Sequence, residues 1–109
     1  MIVADTNAII WFLQGDNRLG PASRQLLEET SDVGMSVFSI WEVAMLHKYK
    51  RIDLRMSAAA FRLRALDLDF RELPLTAQIA IAAVMLADLH RGPADRIIVA
   101  TALAYGAVL

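Results

Sequence analysis

Met1-Ile2-Val3-Ala4-Asp5-Thr6-Asn7 is the stretch whose reading decides the fold. Ile2, Val3 and Ala4 form a fully apolar run, as expected of a short strand buried on both faces of a parallel sheet. The run then stops on three polar residues. A carboxylate placed where a buried strand emerges lies at the rim where open α/β sheets put their chemistry. Asp5 or Thr6 also has an ordinary reading, as N-cap of the helix that Ala8-Ile9-Ile10-Trp11-Phe12-Leu13 begins. The choice depends on whether the rest of the chain brings further acids to the same rim.

Outward from that strand, Gln14 to Gly20 is a turn-rich connector, and Gly20-Pro21 opens a second helix with Pro in its first turn. Leu26 and Leu27 give this helix a narrow apolar face, with Glu28 and Glu29 outside it. Val33 to Phe38 reads as a second strand. Ser39 to Tyr49 reads as the best-defined helix, with a broad apolar arc from Ile40, Trp41, Val43, Ala44, Met45 and Leu46. The basic run His47-Lys48-Tyr49-Lys50-Arg51 closes it. Ser57 caps a helix through Asp67. Phe70 to Leu75 is a third strand, which Pro74 confines to an edge or an early end. Thr76 caps an Ala-rich helix to about Leu86. Gly92-Pro93 opens the last helix, Ala94 to Tyr105, and Ala107-Val108-Leu109 begins a fourth strand. Strands alternate with helices throughout, which predicts an α/β class with a parallel sheet.

The 109 residues suit one domain, 1–109, with a single core. They are 57% hydrophobic with a mean hydropathy of +0.44, as buried sheet and helix faces require. The longest greasy stretch, Ile79 to Ala87, falls well short of the roughly 18 or more apolar residues of a membrane span. Asp5 interrupts the apolar N-terminus and no basic region precedes it, against a signal peptide. The absence of Cys removes disulfide and thiolate-metal chemistry and makes a cytoplasmic protein the expectation. A net charge of −1 excludes capture of nucleic acid by a bulk positive field, leaving a local patch or metal ions.

Three acids stand out, each with a structural alternative. Ser39-Ile40-Trp41-Glu42 fits a capping box, with Glu42 at the third helical position. Asp95 takes the corresponding place in Gly92-Pro93-Ala94-Asp95, where a negative charge meets the positive end of the helix dipole. Asp5 has its cap. Their joint placement favours chemistry. In right-handed βαβ units the helix N-termini gather at the edge where the strands end, so Asp5, Glu42 and Asp95 belong to one rim. Carboxylates crowded together raise one another's pKa unless a cation is present. Oxygen ligands without Cys suit Mg²⁺ or Mn²⁺. Such a site is equipped for in-line attack on a phosphodiester by a metal-activated water.

Three segments carry a resemblance: Val3 to Ile10, Ser39 to Ile52, and Leu89 to Ala102. In order and spacing they resemble PIN-domain ribonucleases, and in particular the VapC-type toxins of bacterial toxin–antitoxin pairs. The resemblance implies a PIN-like three-layer sandwich, a short parallel sheet flanked by helices. It implies Mg²⁺- or Mn²⁺-dependent endoribonuclease activity that inhibits translation and leaves a 5′-phosphate and a 3′-hydroxyl. It also implies a small VapB-type antitoxin as partner. Asp5, Glu42 and Asp95 match the first three acids of the family's metal site, and Thr6 matches the hydroxyl residue beside the first. Gly92 stands where many relatives carry an additional acid. The family also places a fourth acid just after the fourth strand, whereas this chain stops at Leu109. The expectation is a chain that naturally continues or has been clipped there. Without that acid, the 109-residue form is expected to fold, hold one ion weakly and cleave RNA poorly or not at all.

Further residues carry weaker expectations. Arg96, near a helix N-terminus, suits a phosphate or acid partner. Lys48, Lys50 and Arg51 could hold RNA backbone with Tyr49 as a stacking surface, or serve as ordinary partners of the helix dipole. His90 could carry a proton or be merely solvated. Trp11, Phe12 and Trp41 are core or partner-facing, and exposure would mark an antitoxin or dimer surface. The apolar excess on a small surface predicts a homodimer or a toxin–antitoxin hetero-oligomer, with no membrane association. The alternatives are a catalytically impaired PIN-like binding module and an aspartyl-phosphate phosphatase. The phosphatase would carry a second Asp two residues after the first, where Asn7 stands.

Overall fold

A computed structural model describes residues 1–86 and 92–108. Strand β1 (Ile2–Ala4) leads into helix α1 (Thr6–Gln14), and α2 (Pro21–Glu29) precedes β2 (Val33–Ser36). Then follow α3 (Val37–Lys48), α4 (Ala58–Asp67), β3 (Phe70–Leu73), α5 (Ala77–Met85) and α6 (Pro93–Ala104). The three strands form a parallel sheet in the order β1-β2-β3, with Ile2 opposite Val33 and Val33 opposite Phe70. Val108 extends the sheet beyond β1: the Val3 amide donates to the Val108 carbonyl at 2.8 Å, and the Val108 amide donates to the Met1 carbonyl at 3.2 Å. The expected fourth strand therefore starts beside strand one, as a single parallel bridge to Ile2 among the described residues. Leu109, like residues 87–91, lies outside them, and so does the whole reading of His90.

Strand alternation sends residues to two cores, which is what makes the sandwich three-layered. Ala4, Val33, Met35 and Phe70 face one side and pack with Ile9 and Ile10 of α1, Val43 of α3, and Phe61 and Ala65 of α4. Val3 and Leu73 face the other side and meet Ile98 and Ala102 of α6. In α4, Phe61 and Ala65 are four residues apart and both fully buried, so one helical stripe supplies the contact. Helix α5 docks on α6 rather than on the sheet, through Ile79 and Ala83 against Ala100.

Gly34 sits in the middle strand under Leu73. A Cβ at Gly34 would stand 2.7 Å from Leu73 Cδ1 and 3.6 Å from the Met1 sulfur. Leu73 occupies the space that a side chain at residue 34 would claim, so any side chain there would force Leu73 to shift.

The element boundaries correct the sequence reading in several places. Helix α1 begins at Thr6, two residues early, because Asp5 Oδ1 accepts the Ala8 amide at 2.8 Å. Strand β2 stops at Ser36, not Phe38. Its neighbour β1 ends at Ala4, and β3 ends at Leu73 because Pro74 has no amide proton to continue the ladder. Val37 and Phe38 therefore enter the first turn of α3, whose cap is Ser36, its hydroxyl accepting the Phe38 amide at 3.1 Å. Among the described strands β3 lies at the edge of the sheet, and it ends early, before Pro74, one of the two outcomes expected of that proline. Leu26 is exposed, so the apolar side of α2 rests on Leu27 alone of the expected pair.

Candidate active site

The rim at which β1 and β2 end is built by two helix starts. Asp5 ends β1 and caps α1 in an extended backbone conformation, with φ −76° and ψ 169°. One carboxylate oxygen is bound to the Ala8 amide, and the side chain is exposed. Thr6, the first residue of α1, is buried, and its hydroxyl donates to Ser39 Oγ at 3.0 Å. Ser39 lies in the first turn of α3 and is 1% exposed. This hydroxyl pair joins the starts of the two helices that follow β1 and β2. It was not anticipated: Ser39 reads as a cap in the sequence, and only the shifted start of α3 turns it inward.

Glu42 is half-buried on α3. The capping box expected for it does not form, because Ser36 and not Ser39 caps the helix. Glu42 is therefore the sixth residue of α3, about 7 Å along its axis from the start. The capping role expected for it is therefore absent. Asp95 is where the sequence put it, the third residue of α6 behind the Gly92 cap, and it is exposed. It accounts for the acid in the first turn of α6, and its Oδ2 lies 3.9 Å from where a Cβ on Gly92 would be. Helix α6 packs on β1, β2 and α3.

The donor set consists of carboxylate oxygens, with Asp5 Oδ2 outside the capping bond, and by type it fits a hard divalent cation. Among the described residues, however, no three acidic or imidazole side chains stand close enough to share one ion. Asp5, Glu42 and Asp95, all among those residues, are therefore not closed into a ligand cluster.

The remaining predicted residues lie apart from this rim or on its flanks. Arg96 is half-buried and lines a small cavity of about 140 Å³ with Ala80, Ala83, Val84 and Ile97. Lys48 and Arg51 are exposed at the far end of α3, and Lys48 Nζ lies 5.5 Å from the centre of the Tyr49 ring. Trp11 and Phe12 pack against the first core, Phe12 edge-on to Phe70 at 5.8 Å. Trp41 is 57% exposed and stacked on Phe38 at 5.0 Å, so it is not a core residue.

Beside α1 lies a groove of about 750 Å³, running from Asn7 to Gln14 on one wall and along residues 51–56 on the other. Arg18 clasps Asp16 at its lower end at 2.7 and 3.1 Å and covers the Trp11 ring at 5.3 Å. Hydrogen bonding to Arg18 holds the Asp16 carboxyl below its ordinary range. The Gln14 side-chain amide donates to the Asp53 carbonyl at 2.8 Å and ties the two walls together.

No helix among the described residues is long and apolar enough to cross a membrane. Among known proteins, the chain is similar to Ribonuclease VapC22 of Mycobacterium tuberculosis (strain ATCC 25618 / H37Rv). The two are 30% identical over 106 residues, which cover 96% of this chain and 81% of the relative. The sequence matches the PIN domain over residues 2–109. By that match over nearly its whole length, the chain belongs to the PIN-domain family.

Proposed function

We propose that this protein is a metal-dependent endoribonuclease of the VapC toxin type. The observation that supports the reading is that Asp5 directly follows β1 and caps α1, while Glu42 and Asp95 lie on α3 and α6, helices that pack on one another and on the sheet. In this reading Asp5 and Asp95 hold Mg²⁺ or Mn²⁺, and Glu42 ligates it or orients the attacking water. The bound ion would lower the pKa of that water and offset charge on the phosphate under attack. Asp5 keeps its carboxylate at the rim because the Ala8 amide fixes one oxygen. The Thr6–Ser39 bond keeps the starts of α1 and α3 in register, so Thr6 supports Asp5 from beneath rather than meeting solvent. Arg96 flanks Asp95 and suits a phosphate oxygen of the substrate.

The partner in this reading is a small antitoxin encoded beside the toxin. An inserted Arg or Lys would neutralise the acidic rim and exclude both metal and substrate. Co-expression with the neighbouring small reading frame is expected to relieve growth arrest, and persistent arrest contradicts it.

The test of the chemistry is incubation of the protein with RNA in Mg²⁺, in Mn²⁺ and in EDTA, with the product ends mapped. Slow cleavage in either metal, its loss in EDTA, and products with a 5′-phosphate and a 3′-hydroxyl are expected, the rate being low for want of the fourth acid. One observation favours a second reading, a PIN-like binding module: the absence of a closed three-ligand group among the described residues. RNA binding without cleavage in any metal would establish that alternative.

A further inference from the structure

Positive charge is distributed unevenly along this chain. Lys and Arg total 11 against 12 acids, yet residues 48–64 hold six of the 11 and a single acid, Asp53. Arg62 is committed to Glu72 on the sheet edge at 2.7 Å, an ion pair that raises the pKa of its guanidinium. The other five are exposed. Three of them, Arg51, Arg55 and Arg64, line the 750 Å³ groove beside α1.

The acids of that groove do little to neutralise them. Asp16 is already clasped by Arg18. Asp53 meets Arg55 at 3.7 Å with both side chains more than 80% exposed, a pairing worth little in water. Neither Arg51 nor Arg64 has an ion-pair partner among the described residues. The connector that presents them is anchored: Leu54 is 1% exposed in the core, and the Asp53 carbonyl is held by Gln14. Arg55, next to the buried Leu54, takes a left-handed backbone with φ 59°. The groove follows α1 for about 10 Å, from Gln14 to Asn7. Asn7 is two residues from Asp5. The cationic groove therefore opens beside the acidic rim.

We propose that the groove between α1 and residues 51–56 holds the phosphate backbone of single-stranded RNA leading to the Asp5 rim, with Arg51, Arg55 and Arg64 binding phosphates. The identity of the ligand rests on the endoribonuclease reading. A guanidinium fork matches phosphate oxygens in pairs, and a charged groove that tracks the backbone is the usual way to hold a strand without reading its sequence. An acidic protein segment would satisfy the same arginines, but it has no need of a path that ends at the rim carboxylates.

The experiment measures binding of a fluorescent 12-nucleotide RNA to the full chain carrying Asp5→Asn, in EDTA, across a salt series. Polyglutamate of similar charge serves as the second probe. In the Arg55→Ala/Arg64→Ala variant, the Kd for RNA is expected to rise at least tenfold. Its dependence on salt is expected to flatten by about 1.4 in the log–log slope, since each phosphate contact on a single strand contributes about 0.7. Arg55→Lys/Arg64→Lys is expected to keep the slope. Unchanged circular dichroism separates lost contacts from lost folding. The proposal is overturned if the parent does not bind RNA at low salt, or if the alanine pair leaves Kd and slope unchanged. It is also overturned if that pair weakens polyglutamate binding alone, which would assign the groove to an acidic protein. If the alanine pair loses RNA while Asp5→Asn still cleaves in Mg²⁺, the groove stands and the metal-site reading falls. The reverse pattern removes the groove and leaves the chemistry.

Discussion

Thr6 and Ser39 spend their hydroxyls on one another in a site that water does not reach, and that sets what either substitution does. Thr6→Val keeps the shape but leaves the Ser39 hydroxyl buried without its partner, at an expected cost of about 1–3 kcal/mol. Thr6→Val/Ser39→Ala removes both groups and is expected to cost less than the single change. Chemical denaturation of the three proteins checks this, and a double variant less stable than Thr6→Val refutes the assignment. At this scale the sequence was partly legible. Asp5 as a cap and Asp95 in the first turn of α6 could be read because caps are local chemistry. The Thr6–Ser39 pair could not, because it joins residues 33 positions apart whose meeting depends on where α3 starts.

Element boundaries turned on pairing partners that local patterns do not reveal. Val37 and Phe38 look like strand residues, and they become helix because neither neighbour of β2 extends far enough to bond them. Glu42 moved from the third helical position to the sixth for that reason alone. Gly34 was equally silent in the sequence, since the demand for it comes from Leu73 on the adjacent strand. Gly34→Ala is expected to destabilise by about 1–3 kcal/mol through overpacking. Because the clash is with one side chain, Gly34→Ala and Leu73→Ala are expected to couple by at least about 0.5 kcal/mol in a double-mutant cycle. Strictly additive free energies of unfolding would show that Leu73 is not the obstacle.

Across the whole molecule, alternation of strand and helix was enough to give the class and the parallel sheet. The two-sided core followed from fully apolar β1. What remains unaccounted for inside one chain is apolar surface on the α5–α6 side, where Ile81, Val84 and Met85 are each more than 65% exposed. Three neighbours on one helix in contact with water suit a self-complementary interface between two copies. Sedimentation of the protein at micromolar concentration is expected to show a dimer, and Met85→Glu to shift it to monomer. A parent that sediments as a monomer contradicts the homodimer.

On the endoribonuclease reading proposed above, Asp5 is more than a helix cap: its charge holds the metal ion. Asp5→Asn separates the two roles, because Asn caps a helix as well as Asp does but carries no charge for a cation. The decisive measurement is the rate of RNA cleavage in Mn²⁺ by the parent and by Asp5→Asn, alongside their melting temperatures. Equal melting and a rate reduced at least 100-fold in the variant are expected. Equal melting with an unchanged rate would contradict that reading and leave Asp5 as a helix cap alone.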